Sequence, residues 1–339
     1  MDFTTLGRTG LRVSVAGLGS GGPSRLGQKA GLSKDQGVAL IRRAIDLGIN
    51  FFDTAYIYKT EGIVGAALKE VPRDSVILST KFSSEGASAG RIAKALDDSL
   101  RTIGTDYLDV FHLHGVSPDD YDRAVDTLVP ALMRERERGK FRFLGITEIM
   151  SRDLDHVALT RALADDCWDV IMVSFNMMHQ SAVAHVLPKA RERHLGTLIM
   201  APARCLVSTP DRLVQAIKAL VKQGSLPEVL GDTEDPLGFL LHEGGADSLL
   251  DAAYRFARHQ TGTDVVLFGT GNLDHLEANI ASLLKPPLPK TSVDQLTALF
   301  GHLKGLGLDQ GRGYLTRARW FLRRLSGFSF LKTKPYQTP

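Results

Sequence analysis

A chain of 339 residues that is 43% hydrophobic and 23% charged is a soluble globular protein with enough apolar residues for a large core, which excludes disorder as its main state. Its 41 basic and 38 acidic residues leave a formal charge of +3, too balanced for the body of the protein to bind nucleic acid. Cys167 and Cys205 are too few for a disulfide framework, the first residues lack the apolar region and cleavage site of a signal peptide, and no apolar run approaches the roughly 20 residues of a spanning helix; a reducing cytoplasm is the expected location.

In chain order, MDFTTLGRTG reads as a hairpin arm covering the bottom of a barrel, with Thr9-Gly10 where a tight turn is needed. LRVSVAGLGSGG follows as a first barrel strand, with Val13, Val15 and Leu18 leading into glycines at its functional end. From Ser33 onward helical patterns alternate with short apolar strands, the signature of βα units around a parallel sheet. The first helix begins at Ser33, where Gln36 completes a capping box, and stops at Gly48. Strand NFFDTA, helix EGIVGAALKE, strand VILSTKF and helix GRIAKALDDSLRTI after Ser88 come next, followed by strand YLDVFHLH, helix DDYDRAVDTLVPALMRERER and strand FRFLGIT. Helix SRDLDHVALTRALA capped by Ser151, strand DVIMVSF, a helix near Val183 to Arg193, strand TLIMA, strand DVVLFGTG and helix LDHLEANIASLL complete the cycle. Strands starting at Asn50, Val76, Tyr107, Phe143, Asp169, Thr197 and Asp264, added to the N-terminal one, predict a single (β/α)8 TIM barrel over residues 1–290 rather than a doubly wound sheet.

Two regions break this beat. Between Pro202 and Gly245, after the seventh barrel strand, the connection is far longer than a βα loop needs and carries its own helical stretch, DRLVQAIKALVKQ; on the catalytic face such a loop shapes a substrate pocket. After KPPLP, residues 291–339 read as a C-terminal extension with a helix from about Ser292 to Lys304. Its basic residues Arg312, Arg317, Arg319, Arg323, Arg324, Lys332 and Lys334 have no acidic neighbour and alternate with Tyr314, Trp320, Phe321, Phe328 and Phe330. A terminal helix packed on the barrel with a solvated basic face is preferred here over a membrane-surface or partner-binding tail.

The chemistry lies at the strand ends. Asp53 and Tyr58 close NFFDTAYIY, Lys81 closes VILSTKF and His114 closes YLDVFHLH, so successive strands deliver an acid, a phenol, an ammonium and an imidazole to one mouth. A phenol with an ordinary pKa near 10 is a poor acid at neutral pH unless a cation stabilises its anion. Lys81 supplies that cation, and a buried lysine in turn needs a carboxylate, which Asp53 provides. His114 can orient a substrate oxygen, and the set suits proton transfer at an alcohol or carbonyl oxygen while another group moves a hydride. Taken singly, a strand-end aspartate is as often a cap or brace, and His112, two residues from His114 on the same strand, shows how readily a lone histidine is packing.

LGRTGLRVSVAGLGSGG, GINFFDTAYIYKTEGIVGAALKE, VILSTKF, SLRTIGTDYLDVFHLH, GKFRFLGIT and VVLFGTGNLDHLEAN together resemble the aldo-keto reductases over nearly the whole chain. The resemblance implies a (β/α) barrel, reversible interconversion of small-molecule carbonyls and alcohols with a nicotinamide cofactor, and a tetrad at Asp53, Tyr58, Lys81 and His114 with Tyr58 as proton donor. NADP is the family's usual cofactor, with NAD open for this chain.

By the same resemblance the cofactor contacts fall on Gly19, Ser20, Asp53, Thr147, Glu148, Met172, Met200, Arg204, Gly269, Thr270, Gly271, His275 and Asn279. Several depart from the family's pattern. Thr147-Glu148 stands where a Ser-Asn pair holds the nicotinamide carboxamide, Met172 where a glutamine does, and Met200 where an aromatic often stacks on the ring. Glu148 would accept from the carboxamide NH2, and Met200 is a soft apolar substitute. Gly269, Thr270 and Gly271 precede a helix N-terminus suited to an anion, whereas the basic side chains that take a 2′-phosphate are reduced to His275, with Arg204 as a compensating group. The expected protein is a monomer or weak oligomer. Two competitors are a slow or inactive reductase-like binding or sensing module, and a Schiff-base lyase using Lys81.

Overall fold

The computed structural model describes residues 1–305 apart from 151, 204–206 and 208. Strands β1 (Phe3–Thr5) and β2 (Arg12–Ser14) form an antiparallel hairpin, pairing Phe3 with Ser14 and Thr5 with Arg12. The barrel consists of β3 (Ala16–Gly19), β4 (Phe51–Asp53), β5 (Ile77–Ser83), β6 (Leu108–Val116), β7 (Phe141–Glu148), β8 (Val170–Ser174), β9 (Gly196–Met200) and β10 (Val265–Phe268). These eight run parallel and close in sequence order, β10 pairing with both β9 and β3. The predicted (β/α)8 barrel with an N-terminal hairpin is therefore the observed fold.

Period-two alternation splits the core in two. Phe51, Ile77, Val110, Val170, Met172, Leu198, Val265 and Leu267 fill the barrel interior, whereas Phe52, Leu78, Phe111, Leu113, Leu144, Ile146, Ile171 and Val173 face the helices. Leu6, Leu11 and Val13 of the hairpin join the interior set and close the bottom. Gly7 makes that possible: its φ is +45°, and a Cβ there would overlap the Leu195 and Gly196 backbone.

The local capping signals hold at several helices. Ser33 and Gln36 exchange both capping-box bonds ahead of the helix Lys34–Asp46, and the Ser88 hydroxyl accepts from Arg91 N ahead of Ala89–Ile103. The segment LRVSVAGLG divides where one strand was expected. Residues 12–14 stay in the hairpin because Ser14 N donates to Asn50 Oδ1 and Val15 N to the Asp2 carbonyl, so the barrel strand starts at Ala16. The helix expected from Ser151 begins only at Val157, where both Asp153 carboxylate oxygens accept the first free amides, from Val157 and Ala158; Ser151 itself lies outside the described residues. The helix Leu249–Arg258, capped by Ser248, was not anticipated.

The long connection after β9 contains the helix Pro210–Lys222, and the C-terminal helix Lys290–Phe300 packs Leu296 and Phe300 into the outer core. The basic stretch 312–334 lies outside the described residues. Among those described, no helix is long and apolar enough to cross a membrane.

At the bottom of the barrel one device recurs on alternate strands. Asn50 Oδ1 accepts from Ser14 N at 2.7 Å, Asp109 Oδ2 from Leu78 N at 2.9 Å, Asp169 Oδ2 from Leu144 N at 3.0 Å and Asp264 Oδ2 from Thr197 N at 2.9 Å. Asn50 thereby satisfies a backbone donor of the hairpin, and the three aspartates each satisfy one on the preceding barrel strand. Arg73 and Arg142 pair with Asp109, and Arg8 and Arg136 pair with Asp169. Asp264 has no such ion pair among the described residues, and burial pushes its pKa up to about 6.

Candidate active site

The open ends of β4, β5 and β6 gather the four expected groups. Asp53 is the last residue of β4 and Lys81 lies in the neighbouring β5; their side chains are 6% and 1% exposed and the Nζ to Oδ2 distance is 2.5 Å. Lys81 Nζ also donates to the Thr54 carbonyl at 2.8 Å, and the Ser79 hydroxyl donates to Asp53 Oδ1 at 3.0 Å. A buried charge pair survives only with its remaining hydrogen-bonding capacity filled, and here it is filled from both sides.

Tyr58 ends a 3-10 turn, Tyr56–Tyr58, after which Lys59 takes a left-handed conformation. Lys81 Nζ lies 5.2 Å from the centre of the Tyr58 ring, and the His114 ring meets it edge-on, with centroids 5.7 Å apart at 89°. Gly21 lies directly against this phenol, since a Cβ there would overlap the ring. Gly21 is not among the expected site residues, although its place just past a barrel strand is a usable sequence signal.

His114 is partly exposed at the mouth. Burial, reinforced by the Lys81 charge, lowers its pKa to about 3, so it is a neutral imidazole at physiological pH. His112 is entirely buried in the barrel interior beneath the mouth, against Gly145 of β7, and neither ring nitrogen has a partner among the described residues. It too is held well below its ordinary pKa, by burial and then by Lys81.

The expected cofactor residues divide by strand face. Thr147 points inward, and its hydroxyl accepts from Gly115 N at 2.8 Å, which leaves its own O–H to donate. Met172 is paired with Thr147 and lines the interior; Met200 is packed against the same interior cluster at the end of β9. Glu148 differs from expectation. Its Oε1 accepts from Ser174 N at 2.6 Å and its Oε2 meets His156 Nδ1 at 2.7 Å, so both oxygens are engaged away from the pocket. Adjacent strand residues face opposite sides, and with Thr147 inward Glu148 must turn outward.

On the opposite wall, Gly19 ends β3 and Ser20 bonds Thr60 at 2.8 Å, with Thr60 also joined to Thr54 at 3.1 Å. A Cβ at Gly269 would stand 3.1 Å from the Gly19 carbonyl oxygen, and one at Gly271 would overlap Gly27, so the loop after β3 lies on the turn that ends β10. Thr270 braces that turn by accepting from Asn272 N, and Asn272 caps the helix Leu273–Leu284 by accepting from His275 N at 3.0 Å. Asn279 Oδ1 and the Ser24 hydroxyl are buried there without a partner among the described residues. His275 is exposed in the first turn, next to Asp274, while Arg204 lies outside the described residues. A glycine cradle, free amides at a helix start and unsatisfied buried acceptors fit a dinucleotide pyrophosphate and its ribose hydroxyls.

Comparison with known proteins bears on the fold and the family. An L-galactose dehydrogenase from Arabidopsis thaliana is 29% identical over 313 residues, spanning 88% of this chain and 92% of its own. An aldo-keto reductase of Bacillus subtilis is 30% identical over 220 residues, 59% of this chain. Among solved structures, an aldo-keto reductase from Bacillus halodurans in its holo form superposes with a TM-score of 0.68 at 23% identity over 91% of this chain and 100% of its own. One from Klebsiella pneumoniae in complex with NADP and acetate gives 0.66 at 22% identity over 88% of this chain and 95% of its own. Residues 17–300 match the family model for the aldo/keto reductases, and the chain belongs to that family.

Proposed function

We propose that this protein is an NAD(P)-dependent oxidoreductase that interconverts an aldehyde or ketone with an alcohol, acting as a monomer or weak oligomer in the cytoplasm, with Tyr58 as general acid and base. The observation that carries this reading is the meeting of Tyr58 with the buried Lys81–Asp53 pair on one side and a neutral His114 on the other. Lys81 stabilises the charge that develops on the Tyr58 oxygen as it gives up its proton, and Asp53 holds Lys81 in place. His114, being neutral, can donate one N–H to the substrate oxygen but has no spare proton to deliver, so proton transfer falls to Tyr58.

A nicotinamide dinucleotide bound across this mouth would supply or accept the hydride at the substrate carbon. Thr147, Met172 and Met200 would line its ring, and Gly269, Thr270 and Gly271 would hold its pyrophosphate with Asn279 beyond. Asp274 beside His275 works against a 2′-phosphate, so NADH is expected to bind at least as tightly as NADPH, the family's usual choice notwithstanding. The Lys81 ammonium is committed to Asp53 and the Thr54 carbonyl, which argues against the Schiff-base reading, since that chemistry needs a free amine.

The test is calorimetric or fluorescence titration with NADH and NADPH, followed by a carbonyl panel that starts with aldoses, as the Arabidopsis relative's name suggests. Tyr58→Phe is expected to keep cofactor affinity within about twofold while kcat falls by about 10²–10⁴, the usual contribution of a general acid. Full activity in that variant would disprove the assignment. Binding of neither cofactor would favour a binding or sensing module instead.

A further inference from the structure

Met172 removes a polar group from the wall where the carboxamide would sit, and Glu148 is turned away from it. One polar side chain on that wall remains without a role. Ser174 ends β8 two residues beyond Met172, and period-two alternation puts both on the interior face, while Ile171 and Val173 pack outward. Ser174 is 1% exposed, its hydroxyl has no partner among the described residues, and its register partner is Met200. An unpartnered buried hydroxyl is costly and calls for an explanation.

The backbone of Ser174 is held with unusual care. Its amide donates to Glu148 Oε1 at 2.6 Å; Glu148 Oε2 meets His156 Nδ1 at 2.7 Å; and His156 Nε2 meets the Ser181 hydroxyl at 2.9 Å. His156 itself is buried in a left-handed conformation and stacks on His179 with centroids 5.1 Å apart. The chain of bonds thus ties the end of β7, the loop after it and the loop after β8 to one residue. Ser181 is buried, so the Glu148–His156–Ser181 order braces structure and offers no exposed nucleophile.

We propose that Ser174 is a cofactor-binding residue, its hydroxyl taking the nicotinamide carboxamide together with that of Thr147, and that Glu148 acts only by positioning Ser174. This rests on the dinucleotide-dependent function proposed above. The hydroxyl stays unsatisfied in the free protein and gains its partner on binding, so removing it should have opposite effects on stability and on affinity.

The test compares wild type with Ser174→Ala by thermal melting without ligand and by titration with NADH and with ADP-ribose, which lacks the nicotinamide. We expect the variant to melt at or slightly above the wild-type temperature, to bind NADH about tenfold more weakly and to bind ADP-ribose unchanged, as loss of one hydrogen bond to the ring end requires. In a Glu148→Ala background the same substitution should cost less than tenfold, because the hydroxyl is already displaced. Unchanged NADH affinity in Ser174→Ala, or equal weakening of NADH and ADP-ribose, would overturn the proposal while leaving the oxidoreductase reading intact. Failure of the wild type to bind either NADH or NADPH would overturn both.

Discussion

The two ends of the barrel use their buried charged groups differently. At the bottom, Asp109 and Asp169 each satisfy a strand amide and face two arginines, and the hairpin seals what lies beneath. At the top, the Ser174 hydroxyl, Asn279 Oδ1 and both His112 nitrogens lack partners among the described residues, and the buried Lys81–Asp53 ion pair sits beside the Tyr58 phenol. The bottom carboxylates are committed to strands and arginines, whereas the top holds unfilled hydrogen-bonding capacity of the kind that the proposed cofactor would use.

The contrast breaks most visibly at Lys81. Lys81→Met leaves Asp53 buried without its counter-ion, so stability should fall by about 3–5 kcal/mol and turnover by orders of magnitude. Urea melts and steady-state kinetics measure the two losses, and a variant that kept wild-type turnover would remove the chemical role from the top-face pair.

A second difference is acid sensitivity. His112, His114 and His179 are all held below the ordinary imidazole pKa, chiefly by burial, to about 3 for His114 and about 4 for His179. The unfolded chain takes up protons near pH 6.5 that the folded one refuses, so stability is lost as pH falls. Asp264 has the opposite sign: its raised pKa favours the fold at low pH, and that contribution is lost as pH rises through about 6. His259 shifts in the same sense as the three histidines, whereas His156 and Glu148, both raised, side with Asp264; the balance should leave the protein on the order of 2–4 kcal/mol less stable at pH 5 than at pH 7, with His179→Gln flattening the slope. A flat profile between those pH values would show that the histidines are not shielded.

Smaller effects belong to the bottom. Asp109→Asn keeps an acceptor for Leu78 N but releases Arg73 and Arg142, at a cost of about 1–3 kcal/mol with kcat unchanged. A fall in kcat would show that the two ends are coupled. Asp264→Asn should stabilise the protein by about 1 kcal/mol at pH 7 and hardly at all at pH 4, which urea melts at the two pH values would resolve.

The sequence disclosed the top face better than the bottom. Asp53, Tyr58, Lys81 and His114 could be read because each follows an apolar run, and the strand register then brings them together. The direction of Glu148 was also legible in principle, since alternation forbids Thr147 and Glu148 from sharing a face. Motif position outweighed that signal. The bottom device was written as an Asp-Val pair opening every second strand, at 109, 169 and 264, but its partners are backbone amides and distant arginines that no local pattern marks. Closure of the loop after β3 onto Gly271 was likewise invisible, because it depends on two glycines far apart in the chain.

That loop has a consequence for altering the protein. Gly21 abuts the Tyr58 phenol and Gly27 abuts the turn ending β10, so one short segment is a wall shared by two subsites. Recruiting a new substrate by lengthening or exchanging residues 20–27 would therefore also disturb the turn ending β10, where the dinucleotide is proposed to bind. Among its described residues the long connection after β9 carries none of these glycine contacts, and it is the better place to begin redesign of substrate range.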